Sequence, residues 1–174
     1  MTKGRKIIAL TTDPYNNIHG YTLVFMKLFD FIQKNNLDLD IVLISDDGVC
    51  SKIINNKKFI KLKLNPKSNI FLKGLFLAYS FIKKVWVCDK DTVLVVNSEI
   101  PELLSAFILK IKFKKIYCIV QDLQWRDQSL KTKLIHKLRL FLIYRIKKAI
   151  FVNKYTLCQL NNSINKFYIG NPIF

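Results

Sequence analysis

Two side chains of this sequence could move a proton near neutral pH from a loop: His19, in the polar stretch Thr11 to Gly20, and Asp122, in Gln121-Asp122-Leu123-Gln124. Histidine has an unperturbed pKa near neutrality, and either group could serve as a general base toward an alcohol. Both residue types also serve in turns, where they satisfy backbone groups, and the sequence leaves that alternative open. Gly20 closes the first loop where a helix begins, so backbone N–H groups there could approach an anion at the positive end of the helix dipole. One glycine is not G-x-G-x-x-G, and a plain turn glycine fits the position equally. A third polar cluster, Asn97-Ser98-Glu99, stands between two apolar segments. Metal chemistry is not expected. Asp38-Leu39-Asp40 and Asp89-Lys90-Asp91 have D-x-D spacing, but both precede strands, at the sheet edge opposite a ligand crevice. Only two histidines, His19 and His136, are available as nitrogen ligands, and no Ser/His/Asp, Cys/His or P-loop arrangement is present.

The groups are positioned by the stretch Asp91 to Trp125. It holds a β-branched run, the polar switch Asn97 to Glu99, an apolar helix opened by Pro101, a second β-branched run and the Gln121 loop. This is a βαβ unit, whose strands run parallel with a right-handed crossover. Ligands of open α/β sheets bind beyond the carboxyl ends of the strands, so Asn97 to Glu99 and Gln121 to Gln124 are expected to line one crevice. Around it, Lys6 to Leu10 reads as a first strand leading through its loop to an amphipathic helix over Tyr21 to Lys34. Asp40 to Ile44 is a second strand. Phe59 to Leu64 alternates apolar residues with lysine, as an edge strand with one wet face does. Asn69 to Val87, rich in Phe and Leu, reads as a largely buried helix, with part of its surface available to a partner or lipid. Ala149 to Val152 and Lys166 to Ile169 are further strands around a short helix, Lys154 to Leu160. The expected fold class is α/β: a doubly wound, mostly parallel Rossmann-like sheet forming a single domain over residues 1–174.

The charge is the outlier of the composition. Twenty-nine lysines and arginines against 12 acidic residues give a net charge of +17, spread along the chain. Such a field attracts nucleic acid, anionic lipid or phosphorylated substrates; a lysine-rich surface without a ligand is the plainer alternative. The four cysteines are far apart and form no C-x-x-C pair, which fits a reduced, cytoplasmic setting. No segment reaches the length of apolar chain that spans a bilayer, so the expectation is a soluble or peripheral protein. Gln128 to Lys148 is a long helix without an acidic residue. Its core stripe reads as Leu130, Leu134, Leu138, Phe141 and Leu142. Leu140, Ile143 and Tyr144 then fall on the outward side among Lys133, Lys137, Arg139 and Lys147, the pattern of a helix lying on an anionic membrane.

The order of elements, with these residues at their joints, resembles the N-terminal half of GT-B glycosyltransferases, family four in particular. His19-Gly20-Tyr21 is similar to the family's first glycine-containing loop, and Val96 to Pro101 to its VHSPLP-type stretch. Val120-Gln121-Asp122 matches its VHD loop, Arg145 to Asn153 its RRADRVIAVS segment, and Tyr168 to Pro172 its VIPNG hinge. The resemblance implies an acceptor-binding half in which His19 and Asp122 are the catalytic candidates. Gly20, Tyr21, Asn97, Ser98, Glu99, Gln121 and Asn153 would then contact acceptor or phosphate. Two departures stand out: the usual glycine pair is reduced to Gly20, and the family's loop histidine is Gln121. The family continues past the hinge into a second Rossmann domain, which binds the nucleotide-sugar. By the resemblance this chain therefore binds no cofactor of its own, and is completed by a donor-binding subunit or by a second copy of itself. The implied acceptor is a sugar or a lipid-linked sugar at an anionic membrane.

Two other classes compete. A nucleic-acid-binding module would use the positive charge, but the aromatics sit mostly at helical core spacings and no recognition motif is present. A non-catalytic scaffold on the same fold would bind no acceptor.

Overall fold

The computed structural model describes residues 7–12, 34–35, 39–45, 59–63, 69–85, 91–120, 129–160 and 162–168. Seven strands form one sheet in the order β3-β2-β1-β4-β5-β6-β7, and every pairing is parallel. They are β1 (Ile7–Thr12), β2 (Leu39–Ser45), β3 (Phe59–Lys63), β4 (Val93–Asn97), β5 (Lys115–Val120), β6 (Lys148–Phe151) and β7 (Asn165–Tyr168). The helices among the described residues are α1 (Ile70–Val85), α2 (Ile100–Leu109), α3 (Leu130–Ile146) and α4 (Lys154–Gln159).

This is the expected doubly wound α/β architecture. Central β4 and β5 are apolar because Leu94, Val96, Ile116, Cys118 and Val120 are buried toward the helices and Val95 and Ile119 are buried as well, and β3 is an edge strand, paired with β2 alone. After β1 the chain steps outward to β2 and β3, then returns to the other side of β1 as β4. The winding reverses there, so the crevice of the sheet opens at the carboxyl ends of β1 and β4. The loop after β4 borders that reversal directly. The loop after β5 is one strand further out.

From α1 onward every step runs toward β7, and right-handed crossovers place the connecting helices on one face. There α2 packs between α1 and α3. Beneath them lies the core: Ile8 and Leu10 of β1, Leu94 and Val96 of β4, Ile116, Cys118 and Val120 of β5, and Leu103, Leu142 and Ile143 from the helices.

The α1–α2 contact is close because Gly74 has no side chain. A Cβ there would stand 2.8 Å from both Cβ and Cδ1 of Leu104, and the Ser105 hydroxyl donates to the Gly74 carbonyl at 3.2 Å. Among the α1 residues whose burial is described, Gly74 and Ala78, on this side, are the buried ones. The expectation of a largely buried helix is corrected: Phe71, Leu72, Leu75, Phe76 and Tyr79 are exposed.

The face of α3 is in part the reverse of the sequence reading, although Leu142 is buried and Leu138 packs against the core as expected. Leu130 and Leu134, expected in the core, are 81% and 66% exposed, and Phe141 is exposed with them. Arg139 and Ile143, expected on the outward side, are buried, at 7% and 0%. Leu140 and Tyr144 are half-buried against the core, while Lys133, Lys137 and Lys147 are exposed as expected. The physical reason is that apolar residues stand on both sides of α3, so periodicity cannot choose between them. What chooses is the hydrogen-bonding demand of Arg139. Ser129 caps the helix start by accepting from the Thr132 N–H, and Lys147 ends it in the left-handed conformation, φ 65°.

Candidate functional site

The site builds outward from the end of β4. Asn97 is the last residue of the strand, paired alongside Ile119 of β5, and it is buried at 1% exposure. Its Oδ1 accepts from the Ser98 N–H at 2.8 Å, which turns the chain sharply out of the strand. Glu99 then occupies the N-cap position of α2 in extended conformation, with no side-chain capping bond, and its carbonyl accepts from the Leu103 N–H at 2.9 Å. Pro101 in the first turn lacks an N–H, which removes one donor that would otherwise need a partner. The opening turn of α2 therefore faces the crevice without a side-chain cap. Among the described residues the Asn97 Nδ2 has no hydrogen-bond partner.

Arg139 reaches this turn from α3. Its Nε donates to the Ser98 carbonyl at 2.7 Å and its Nη2 to the Ser98 hydroxyl at 2.6 Å. The same Nη2 is 3.9 Å from Oε1 of half-exposed Glu99. A planar, permanently charged fork suits two acceptors on one residue in a way an ammonium does not. The arginine thus ties helix, strand end and crevice loop into one unit. It sits where Ser98 would otherwise leave a carbonyl and a hydroxyl buried without partners, which is costly.

The electrostatics around the cluster follow from burial. Burial pushes the Cys118 thiol far above the ordinary thiol range; the Arg139 charge opposes this, and Glu102 and Glu99 add to it. Cys118 is thus a neutral packing residue. His136, one turn before Arg139, has its pKa lowered by burial and then by the Arg139 charge, which favours the neutral imidazole.

Of the site residues expected from sequence, the structure brings Ser98 and Glu99 together under Arg139, with Asn97 beside them. Asn153 is exposed on the same edge of the sheet, at the carboxyl end of β6, and its carbonyl accepts from the Leu157 N–H at 3.2 Å. It is two strands from β4 in the sheet order. His19, Gly20, Tyr21, Gln121 and Asp122 lie outside the described residues, as does nearly all of the helix expected over Tyr21 to Lys34. Asp91, of the second D-x-D, is exposed at the amino edge of β4, 3.8 Å from the Lys115 Nζ. Arg139 is the residue that sequence reasoning misplaced. One signal could have found it: it is one of four arginines among 29 cationic side chains, and it shares a helical face with Leu142, Ile143 and Ile146.

No protein-family profile matches the sequence, and no curated protein matches it. Solved structures do match in fold. A glycosyltransferase from Rickettsia africae ESF-5 superimposes with a TM-score of 0.56 at 15% identity, covering 97% of this chain and 43% of that one. An α-glucosyltransferase in complex with UDP and a 13-mer DNA containing a central A:G mismatch gives 0.50 at 12% identity, covering 97% and 41%. The chain therefore has a glycosyltransferase-like Rossmann fold and spans about two fifths of the length of these neighbours.

Proposed function

We propose that this chain is the acceptor-side, N-terminal-type half of a GT-B glycosyltransferase similar to family four. The observation that carries the reading is the loop Asn97-Ser98-Glu99. It borders the reversal of strand order in a glycosyltransferase-like sheet and is held rigid by a buried arginine. Pre-positioned polar groups are what an acceptor site needs, because a hydroxyl must be held within a few tenths of an ångström of its attack line.

In the proposed reaction an acceptor hydroxyl attacks the anomeric carbon of a nucleotide-sugar. A C–O bond forms to the acceptor while the C–O bond to the diphosphate breaks. The hydroxyl proton passes to His19 or Asp122, and the nucleoside diphosphate leaves with the negative charge. The same reading assigns acceptor or phosphate contacts to Asn97, Ser98, Glu99 and Asn153, and to Gly20, Tyr21 and Gln121, which lie outside the described residues. The donor sits on a second Rossmann lobe, supplied by a partner subunit or another copy, whose groups stabilise the leaving charge. The acceptor is a sugar carried on a lipid at an anionic membrane surface.

The test is transfer of radiolabelled sugar from nucleotide-sugars to membrane lipid extract, with this chain, with a donor-binding half, and with both. Transfer that requires both supports the reading. Equal transfer by the donor half alone removes it.

One observation favours a second reading. On the sheet face away from α1–α3, Tyr117 of β5 meets Phe167 of β7 edge-on at 5.6 Å, and the Lys148 ammonium lies 5.3 Å from the Tyr117 ring centre. Aromatic rings with cations on a partly exposed sheet face suit stacked bases, and one fold neighbour is a glucosyltransferase bound to DNA. A polynucleotide ligand predicts a salt-dependent gel shift that Tyr117→Ala weakens; an unshifted oligonucleotide excludes it.

A further inference from the structure

Helices α1, α2 and α3 contain a single carboxylate between them, Glu102, and it is buried at 2% exposure. Their surface away from the sheet is correspondingly free of negative charge. On α1, Leu72, Leu75, Phe76 and Tyr79 share one face opposite Gly74 and are 59%, 54%, 50% and 67% exposed. Single exposed apolar residues are ordinary, but four on one face within about two turns form a patch of the kind that marks an interaction surface.

On α3 the exposed stripe runs Leu130, Lys133, Leu134, Lys137, Phe141 and Arg145, apolar and cationic side chains sharing one face, with the Arg145 guanidinium 5.0 Å from the Phe141 ring centre. Between the two helices, Phe107 and Ile111 at the end of α2 are exposed beside Lys110. Because α1, α2 and α3 pack side by side on one face of the sheet, these stripes face the same way.

We propose that this outer surface of the helical layer is a docking face for an anionic lipid bilayer, with α1 and α3 lying in the membrane plane. A surface of leucine and aromatic side chains flanked by cations is complementary to acyl chains beneath anionic headgroups. A second copy of the chain does not fit, since facing stripes would bring lysines and arginines together in a protein already at +17. On α3 the surface keeps Lys133 and Lys137 of the face expected from sequence and replaces Arg139, Leu140, Ile143 and Tyr144 with Leu130, Leu134 and Phe141.

The inference deepens the proposed function. Helices that follow parallel strands run back antiparallel to them, so α1 and α3 begin at the carboxyl edge of the sheet, where the Ser98 turn lies. A chain docked by this face holds its crevice beside the headgroups, within reach of a lipid-linked acceptor.

The experiment is co-sedimentation of the full chain with vesicles of phosphatidylcholine, with and without phosphatidylglycerol. The chain should pellet with the anionic vesicles and be released by salt. The double variant Lys133→Gln/Lys137→Gln should lower partitioning by about 25-fold, at about fivefold per cation near an anionic surface. Leu75→Gln/Tyr79→Gln should lower it as well, while far-UV circular dichroism and urea midpoint stay unchanged because both side chains are exposed. A wild-type chain left in the supernatant overturns the proposal, as does pelleting that neither double variant alters. A dimer that Leu75→Gln/Tyr79→Gln dissociates also overturns it. Docking with no sugar transfer in the two-half assay leaves this surface standing and removes the transfer reading; transfer to a soluble acceptor without docking does the reverse.

Discussion

Replacing Arg139 by methionine separates the two places its side chain could occupy. An arginine on an outward helix face contributes little, and its removal changes stability by no more than about 0.5 kcal/mol. In the structure the guanidinium is buried and donates to both Ser98 acceptors at 2.7 and 2.6 Å, with Glu99 at 3.9 Å. Each charge-assisted bond contributes about 1.5–3 kcal/mol, and the orphaned carbonyl and hydroxyl would then carry their own desolvation cost. Burial of the cation itself opposes this, and removing one partner of a buried pair typically costs about 3–5 kcal/mol. We take about 3 kcal/mol as the expected loss, the lower end, because Glu99 is half-exposed and only distantly paired. For urea unfolding followed by circular dichroism, a slope of about 2 kcal/mol/M converts that to a midpoint lower by about 1.5 M. Ser98→Ala removes one of the two acceptors and should cost about 1–2 kcal/mol. The double variant should then show a coupling of about 1 kcal/mol or more. A midpoint for Arg139→Met within about 0.2 M of wild type, with an unchanged slope, would refute the reasoning.

Three further outcomes follow from the same structure. His136 has a folded-state pKa below its ordinary 6.5, so its protonation favours the unfolded chain. Its stabilising contribution is complete above that value and is lost as pH falls below it, and His136→Gln should flatten this part of the pH dependence of the urea midpoint; identical pH profiles would contradict it. Lys147→Gly relieves the left-handed strain at φ 65° and should raise stability by about 1 kcal/mol, readable as a higher thermal midpoint; an unchanged or lower one would contradict it. Native alkylation mapped by peptide mass spectrometry should label exposed Cys158 promptly and buried Cys118 only in denaturant, and equal labelling would show that Cys118 is accessible.

The sheet was legible because β4 and most of β5 are buried and so carry runs of apolar, largely β-branched residues, and because Asn97-Ser98-Glu99 interrupts the pattern where the strand ends. Edge strand β3 was legible from its alternation with lysine. The direction of α3 was not. Leucine, isoleucine, phenylalanine and tyrosine occur all round that helix, and the residue that fixes its rotation is an arginine, a type normally assigned to solvent. Its partners are 40 and 41 positions away in sequence, so no local pattern announces them. For α1, abundance of Phe and Leu suggested burial, yet among the described side chains five large apolar ones are exposed and the Gly74 side fits against α2. A glycine in the middle of an apolar helix is the sign of a close helix contact that the sequence offered and the reading did not use.

The most direct test of the acceptor-site account is a backbone amide titration of the isotope-labelled chain with lipid-linked or free sugar acceptors. The account predicts chemical-shift changes at Asn97, Ser98 and Glu99, the residues that close the β4 end, and their loss in Arg139→Met under conditions where that variant remains folded. Saturable shifts confined to the amino edge of the sheet around Asp91, or no shifts with any acceptor, would contradict it.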